Sequence, residues 1–173
     1  MKKLTLSFLA SLAFVATSFG GHEVVSKEYK GTPPVPCFKD VELQLDIFGA
    51  YYGESGNRFG DGFGGGVGVN YFFTRNIGIA VTGSIYDGSP HEVWNADLDL
   101  VYRFPIENGI CIAPYILAGG GLEMDGTTIG TWNVGGGLEW RATPSFGVFG
   151  EGRYQWGEDE GVAQARVGLR FVF

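Results

Sequence analysis

The chain has 173 residues, a formal net charge of −7, 30 glycines and 15% aromatic residues. That acidic balance excludes a nucleic-acid binder, whose phosphate partners demand a basic surface, and the length suits a single domain. So much glycine beside so many aromatic residues favours strands with tight local geometry over helices.

Residues 1–20 read as a cleaved signal peptide: Lys2 and Lys3 give a positive start, Leu4 to Val15 an apolar run, and Ser18 and Gly20 small residues for cleavage. A spanning helix would need about 20 apolar residues, and Ser7, Ser11, Thr17 and Ser18 interrupt this stretch. Cleavage would leave 10 basic against 19 acidic residues, a net charge of −9. Residues 21–40, with Pro33, Pro34 and Pro36, are expected to form an irregular periplasmic segment, because proline lacks a backbone donor.

From Val41 onward the pattern is a period of two, the strand signature, repeated eight times. In Val41 to Tyr52, Leu43, Leu45, Ile47 and Tyr51 share an oily face, and Glu42, Gln44 and Asp46 the opposite one. Gly62 to Phe73 sets Phe63, Val67, Val69, Tyr71 and Phe73 against Gly64, Gly66, Gly68 and Asn70, and the turn at 74–76 reverses the chain. Ile77 to Asp87 alternates Ile77, Ile79, Val81 and Ile85 with small residues. Val93 to Phe104 is the strictest, interleaving Trp94, Ala96, Leu98, Leu100, Tyr102 and Phe104 with Asn95, Asp97, Asp99 and Arg103. Ile110 to Leu122 alternates less clearly and contains Pro114, which costs a ladder bond inside a sheet. Ile129 to Arg141, Phe146 to Trp156 and Val162 to Phe173 complete the series, with Glu139, Arg141, Glu151, Arg153, Arg166 and Arg170 on their polar faces.

In a secreted soluble barrel the oily faces would form the core. Three features point to the inverted arrangement. The strands run to about 11–13 residues, beyond the usual soluble length of about 5 or 6 and matched to tilted membrane strands. Aromatic residues sit at both ends of the oily faces, with Tyr51, Phe63, Trp94, Trp132 and Trp156 at an outer level and Phe73, Phe104, Trp140, Phe146 and Phe173 at an inner one, as two girdles. The polar faces carry both signs of charge: Glu42, Asp46, Asp97, Asp99, Glu139 and Glu151 against Arg103, Arg141, Arg153, Arg166 and Arg170. Inside a narrow barrel such ions must pair. Lipid offers no partner to a free sheet edge, so the sheet must close. The expected fold is therefore all-β: a closed eight-stranded antiparallel transmembrane β-barrel, an up-and-down meander over residues 41–173, with a short irregular N-terminal segment.

Over residues 41–173 the chain resembles the small outer-membrane barrels of the OmpA/OmpX kind. The ending "ARVGLRFVF" carries the resemblance most specifically, together with "GEGRYQW" in the seventh strand. The resemblance implies that Val167, Leu169, Phe171 and Phe173 form the signal read by the barrel-assembly machinery. It also implies periplasmic chaperones during biogenesis, and outer-membrane lipid and lipopolysaccharide as surroundings. The expected localisation is the outer membrane of a Gram-negative-type bacterium. The outer loops, "GESGNRFGD", "GSPHE", "MDGTT" and "GEDEG", are short for an adhesin.

The glycine run at 62–68 mimics a phosphate loop but feeds no helix, so curvature and small lumen residues explain it better. Ser89 and His91 share one loop with Asp87 and Glu92 nearby, a pairing to weigh against lipid-modifying enzymes, although a triad is recognised only by geometry. His22 reads as solvated, and the acidic triplet at 158–160 as a solvated loop rather than a cation ligand. Cys37 and Cys111 both belong at the periplasmic rim, where either two free thiols or a disulfide pinning the N-terminal segment under the barrel is open. No catalytic residue, metal or cofactor is expected. The leading expectation is a monomeric structural, envelope-integrity barrel without catalysis, and the second a porin-like, narrow, low-conductance pore. A lipid-modifying enzyme or surface-binding protein ranks behind both.

Overall fold

A computed structural model describes residues 36–54, 61–87, 92–157 and 161–173. The signal peptide at 1–20, His22, Ser89, His91 and the acidic triplet at 158–160 lie outside the described residues. So does the segment 21–35.

The eight strands are β1 (Glu42–Glu54), β2 (Gly62–Phe72), β3 (Ile77–Asp87), β4 (Glu92–Arg103), β5 (Ile112–Asp125), β6 (Thr127–Thr143), β7 (Phe146–Trp156) and β8 (Gly161–Val172). Each pairs antiparallel with its sequence neighbours, and β1 pairs with β8, so the meander closes into a barrel without a free edge. The end where β1 begins, and where the β2–β3, β4–β5 and β6–β7 connections lie, is called lower here. The opposite end is upper.

The pleat places alternate residues on opposite faces, and the sequence alternation maps onto burial in that way. In β4, every residue from Val93 to Arg103 in one phase is buried and every residue in the other is exposed. The phase that is buried is the polar one: Asn95, Asp97, Asp99 and Arg103 point inward, whereas Trp94, Leu98, Leu100 and Tyr102 point outward at 40–59% exposure. The barrel is thus inside-out relative to a soluble one.

Outward aromatic residues gather toward the strand ends. At the upper end Tyr51 lies against Phe63 and Tyr154 against Trp156, with Trp94 and Trp132 beside them. At the lower end Tyr71 pairs with Phe73, Tyr102 with Phe104 and Phe146 with Phe171, next to Trp140 and Phe173. The band between is aliphatic, with Val67, Val81, Leu98, Ile116, Val134 and Val167 exposed. Phe146 lies at the lower rim and is half-buried, its ring packed on Phe171 at 5.5 Å.

The largest change in strand limits concerns the expected outer loop "MDGTT". It is absorbed into a long β5–β6 hairpin whose tip is Gly126 at φ +67°, with Asp125 opposite Thr127. A left-handed residue at the tip lets glycine close the turn tightly and both ladders continue. Pro114 is tolerated within β5 because its backbone faces the end of β4: in an antiparallel strand a residue's nitrogen and carbonyl point to the same neighbour. Its carbonyl still accepts from the Phe104 amide at 2.8 Å, so the missing donor falls where that ladder is already ending.

Candidate functional site

Polar side chains from every strand converge in the lumen, and the charged ones among them form two tiers. The lower tier is a relay of alternating charges. Asp46 on β1 is gripped by Arg170 on β8 through Nε at 2.8 Å and Nη2 at 2.7 Å. Arg170 reaches on to Glu139 at 2.8 Å, Glu139 to Arg141 at 2.6 Å, and Arg141 to Glu42 through both terminal nitrogens. Glu42 also accepts from Arg103 at 2.8 Å. Three carboxylates face three guanidiniums, all nearly sealed from solvent. Such pairing is what permits ions to be buried, since an unpaired one carries a desolvation cost on the order of several kcal/mol.

Residues just before β1 close this tier from below. The Phe38 ring is 1% exposed and lies 4.3 Å from the Arg141 guanidinium and 5.0 Å from that of Arg103, which also sits 3.8 Å over Phe72. The Cys37 carbonyl accepts from Arg141 at 2.5 Å and the Lys39 carbonyl from Arg103 at 3.3 Å. A disulfide joins Cys37 to Cys111 beside β5, with Cα atoms 5.8 Å apart. Phe38 is therefore held in the lower mouth by a covalent tether, two cation–π faces and backbone hydrogen bonds.

The upper tier is looser. Arg153 holds Glu151 at 2.5 Å and Asp99 at 2.6 Å, and the Tyr115 hydroxyl donates to Glu151 at 2.9 Å. Arg166 spends its closest contacts on Gln164 and reaches Asp97 only at 3.6 Å and Glu151 at 3.8 Å. Beside it Tyr52 stacks on Tyr86 with ring centroids 4.2 Å apart, next to Val93, Phe48 and Phe149, in an apolar seal inside the polar lumen. Room for the Phe48 and Phe149 rings comes from Gly66 and Gly168, where a Cβ would approach these rings to 2.7 Å. Between the tiers an interior cavity of about 20 Å³ is lined by Asp46, Asn70, Glu139, Glu151, Arg153 and Arg170. That is space for about one water.

The eleven acidic and basic residues picked out in the sequence are all buried in the lumen, divided between the two tiers. Sequence reasoning missed Phe38, Phe72, Tyr115 and the Tyr52–Tyr86 stack. The signal was there for four of these: Tyr52, Phe72, Tyr86 and Tyr115 fall in the inward phase of their strands, and an aromatic residue on that phase is a lumen residue. Phe38 precedes the strands and has no phase to read. Among the described residues no three histidine, cysteine or carboxylate side chains gather as a metal site.

No protein-family model matches the chain, and no curated protein matches it in sequence. Solved structures do match in shape. The N-terminal β-barrel domain of OprF from Pseudomonas aeruginosa superposes with a TM-score of 0.63 at 23% identity, over 79% of this chain and 99% of that one. Neisserial surface protein A gives 0.60 at 17% identity, over 76% and 96%. The outer-membrane protein OprG of Pseudomonas aeruginosa gives 0.59 at 9% identity, over 80% and 99%. The fold is that of the small eight-stranded outer-membrane barrels.

Proposed function

We propose that the protein is an integral outer-membrane barrel with a sealed lumen and a structural role in the envelope, without catalysis. The observation that carries this reading is the lumen itself. Conduction needs a continuous water path, and here two tiers of buried charge, the Phe38 floor and the Tyr52–Tyr86 stack stand across it, with a cavity between the tiers that holds about one water. An eight-stranded barrel is about wide enough for its own side chains and no more.

Outside, the aliphatic band between two aromatic rims matches hydrocarbon flanked by headgroup layers, so lipid and lipopolysaccharide are the surroundings of the wall. In this orientation the lower end, with the disulfide, faces the periplasm. The barrel-assembly machinery would read the outward side chains of Val167, Leu169 and Phe171 together with Phe173, whose amide already donates to the Leu43 carbonyl at 2.9 Å. The closed wall needs no partner chain, which supports a monomer.

Single-channel recording in planar bilayers tests the sealed state. The wild-type protein and Arg153→Ala should both stay silent. A second reading, a narrow low-conductance pore, is favoured by the long Arg166 contacts in the upper tier, and discrete openings of the wild type would establish it in place of the sealed barrel.

A further inference from the structure

Charge neutrality accounts for the lower tier but leaves the upper one incomplete. Among the described residues, Asp97, Asp99 and Glu151 face Arg153 and Arg166, an excess of one negative charge in that group. Glu123, nearer the upper mouth, has interactions of its own and is not counted in that excess.

The oxygens left over lie together. A Cβ added at Gly121 would sit 2.4 Å from Asp97 Oδ1, and one added at Gly119 would sit 2.4 Å from Asp99 Oδ1, so both carboxylates lean across β5. Directly opposite these glycines on β6 are Thr131 and Asn133. Each is 4% exposed, and neither the Thr131 hydroxyl nor either amide atom of Asn133 has a hydrogen-bond partner in the protein. The same holds for both Asp97 oxygens and for Asp99 Oδ1. Four buried polar side chains thus border one patch of inner wall, over two glycines whose missing side chains make the room.

We infer that this patch binds one small, hard monovalent cation of the sodium class through oxygens of Asp97, Asp99, Thr131 and Asn133. The donors are all oxygen, the ligand type of hard cations rather than of transition metals. Asp97 and Asp99 stand on β4 and Thr131 and Asn133 on β6, two strand spacings of about 4.7–4.9 Å apart with only glycines of β5 between them. Because the two carboxylates lean over Gly121 and Gly119 toward β6, the gap left beyond hydrogen-bond reach is one that cation–oxygen contacts of about 2.3–2.6 Å on each side bridge, as for calcium-sized ions. The single excess charge selects a monovalent ion, because a divalent one would turn the tier positive beside Arg153 and Arg166. Water could bridge the same atoms but would leave the negative charge uncompensated. This inference goes beyond the structural reading and stands whether or not the barrel conducts.

Crystals of the full folded protein grown with thallium(I), a monovalent surrogate with strong anomalous scattering, locate the ion. The expected result is an anomalous peak between Asp97 and Asp99 that sodium competes away. In detergent, the temperature at which the folded band is lost on an SDS gel should be about 2–4 °C higher in sodium chloride than in N-methyl-D-glucamine chloride of equal ionic strength. Asp97→Asn, and independently Asn133→Leu, should abolish the sodium dependence while the barrel remains folded. If either variant fails to fold, the two wild-type measurements decide alone. No thallium peak with equal midpoints in the two salts means water only and overturns the proposal, as does stabilisation by calcium without any by sodium.

Discussion

Replacing Glu42 by glutamine removes one charge from the centre of the barrel floor and nothing from its volume. Glu42 is 1% exposed and serves two guanidiniums, Arg103 at 2.8 Å and Arg141. Arg141 would keep Glu139 at 2.6 Å, so Arg103 is the stranded partner. Its remaining neighbours are the carbonyls of Arg75 at 2.6 Å and Lys39 at 3.3 Å and the faces of Phe38 and Phe72. Breaking one side of a buried ion pair costs about 3–5 kcal/mol, and those two carbonyls put this case near the lower figure. At about 2–4 °C per kcal/mol for a domain of this size, the midpoint of SDS-gel heat modification should fall by about 6–12 °C. Adding Arg103→Met should recover most of the loss, because the orphaned charge is gone and the thioether packs against both rings. A Glu42→Gln midpoint within about 1 °C of wild type, or a double variant weaker than the single, would refute charge pairing as what stabilises the floor.

Leu98→Arg, in the middle of the outward face of β4 at 57% exposure, should destabilise the folded state in lipid by about 2–4 kcal/mol, measured by urea titration in vesicles. An unchanged midpoint would mean that this face does not meet hydrocarbon. Cys37→Ser opens a loop closed across 74 residues and should lower stability by about 4 kcal/mol in the chain-entropy account. Mass spectrometry of the native protein should show no free thiol, and two alkylated cysteines would contradict the tether. Tyr115→Phe leaves one Glu151 oxygen without its donor at 2.9 Å and should cost about 1–3 kcal/mol by the same gel assay, whereas a neutral result would show that water replaces the hydroxyl there.

Much of the wall was legible in the sequence because side-chain direction in a strand is a local property. Once Asp97, Asp99 and Arg103 were seen to share a phase, they had to share a face, and the oily phase of Leu98 and Leu100 had to take the other. Mixed-sign charges on the first face made an enclosed lumen the consistent answer. The β5–β6 hairpin was less legible because its limits depend on one glycine at its tip, and in "MDGTT" that residue looks like an ordinary loop glycine. Pro114 weakened the reading of β5 because the sequence does not say toward which neighbour its nitrogen turns.

By itself, then, the sequence determined the period, the phase and hence the face of each strand residue, all of which follow from the pleat. Only the tertiary structure decided the pairings: that Glu42 joins Arg103, 61 residues on, and Arg141, 99 residues on; that Phe38 seats between those two arginines; and that Asp97 lies beyond close reach of either arginine near it. The reason is that height in a closed barrel depends on the register of every ladder and on where β1 meets β8. One-residue changes anywhere in that circuit would bring different charges level with one another.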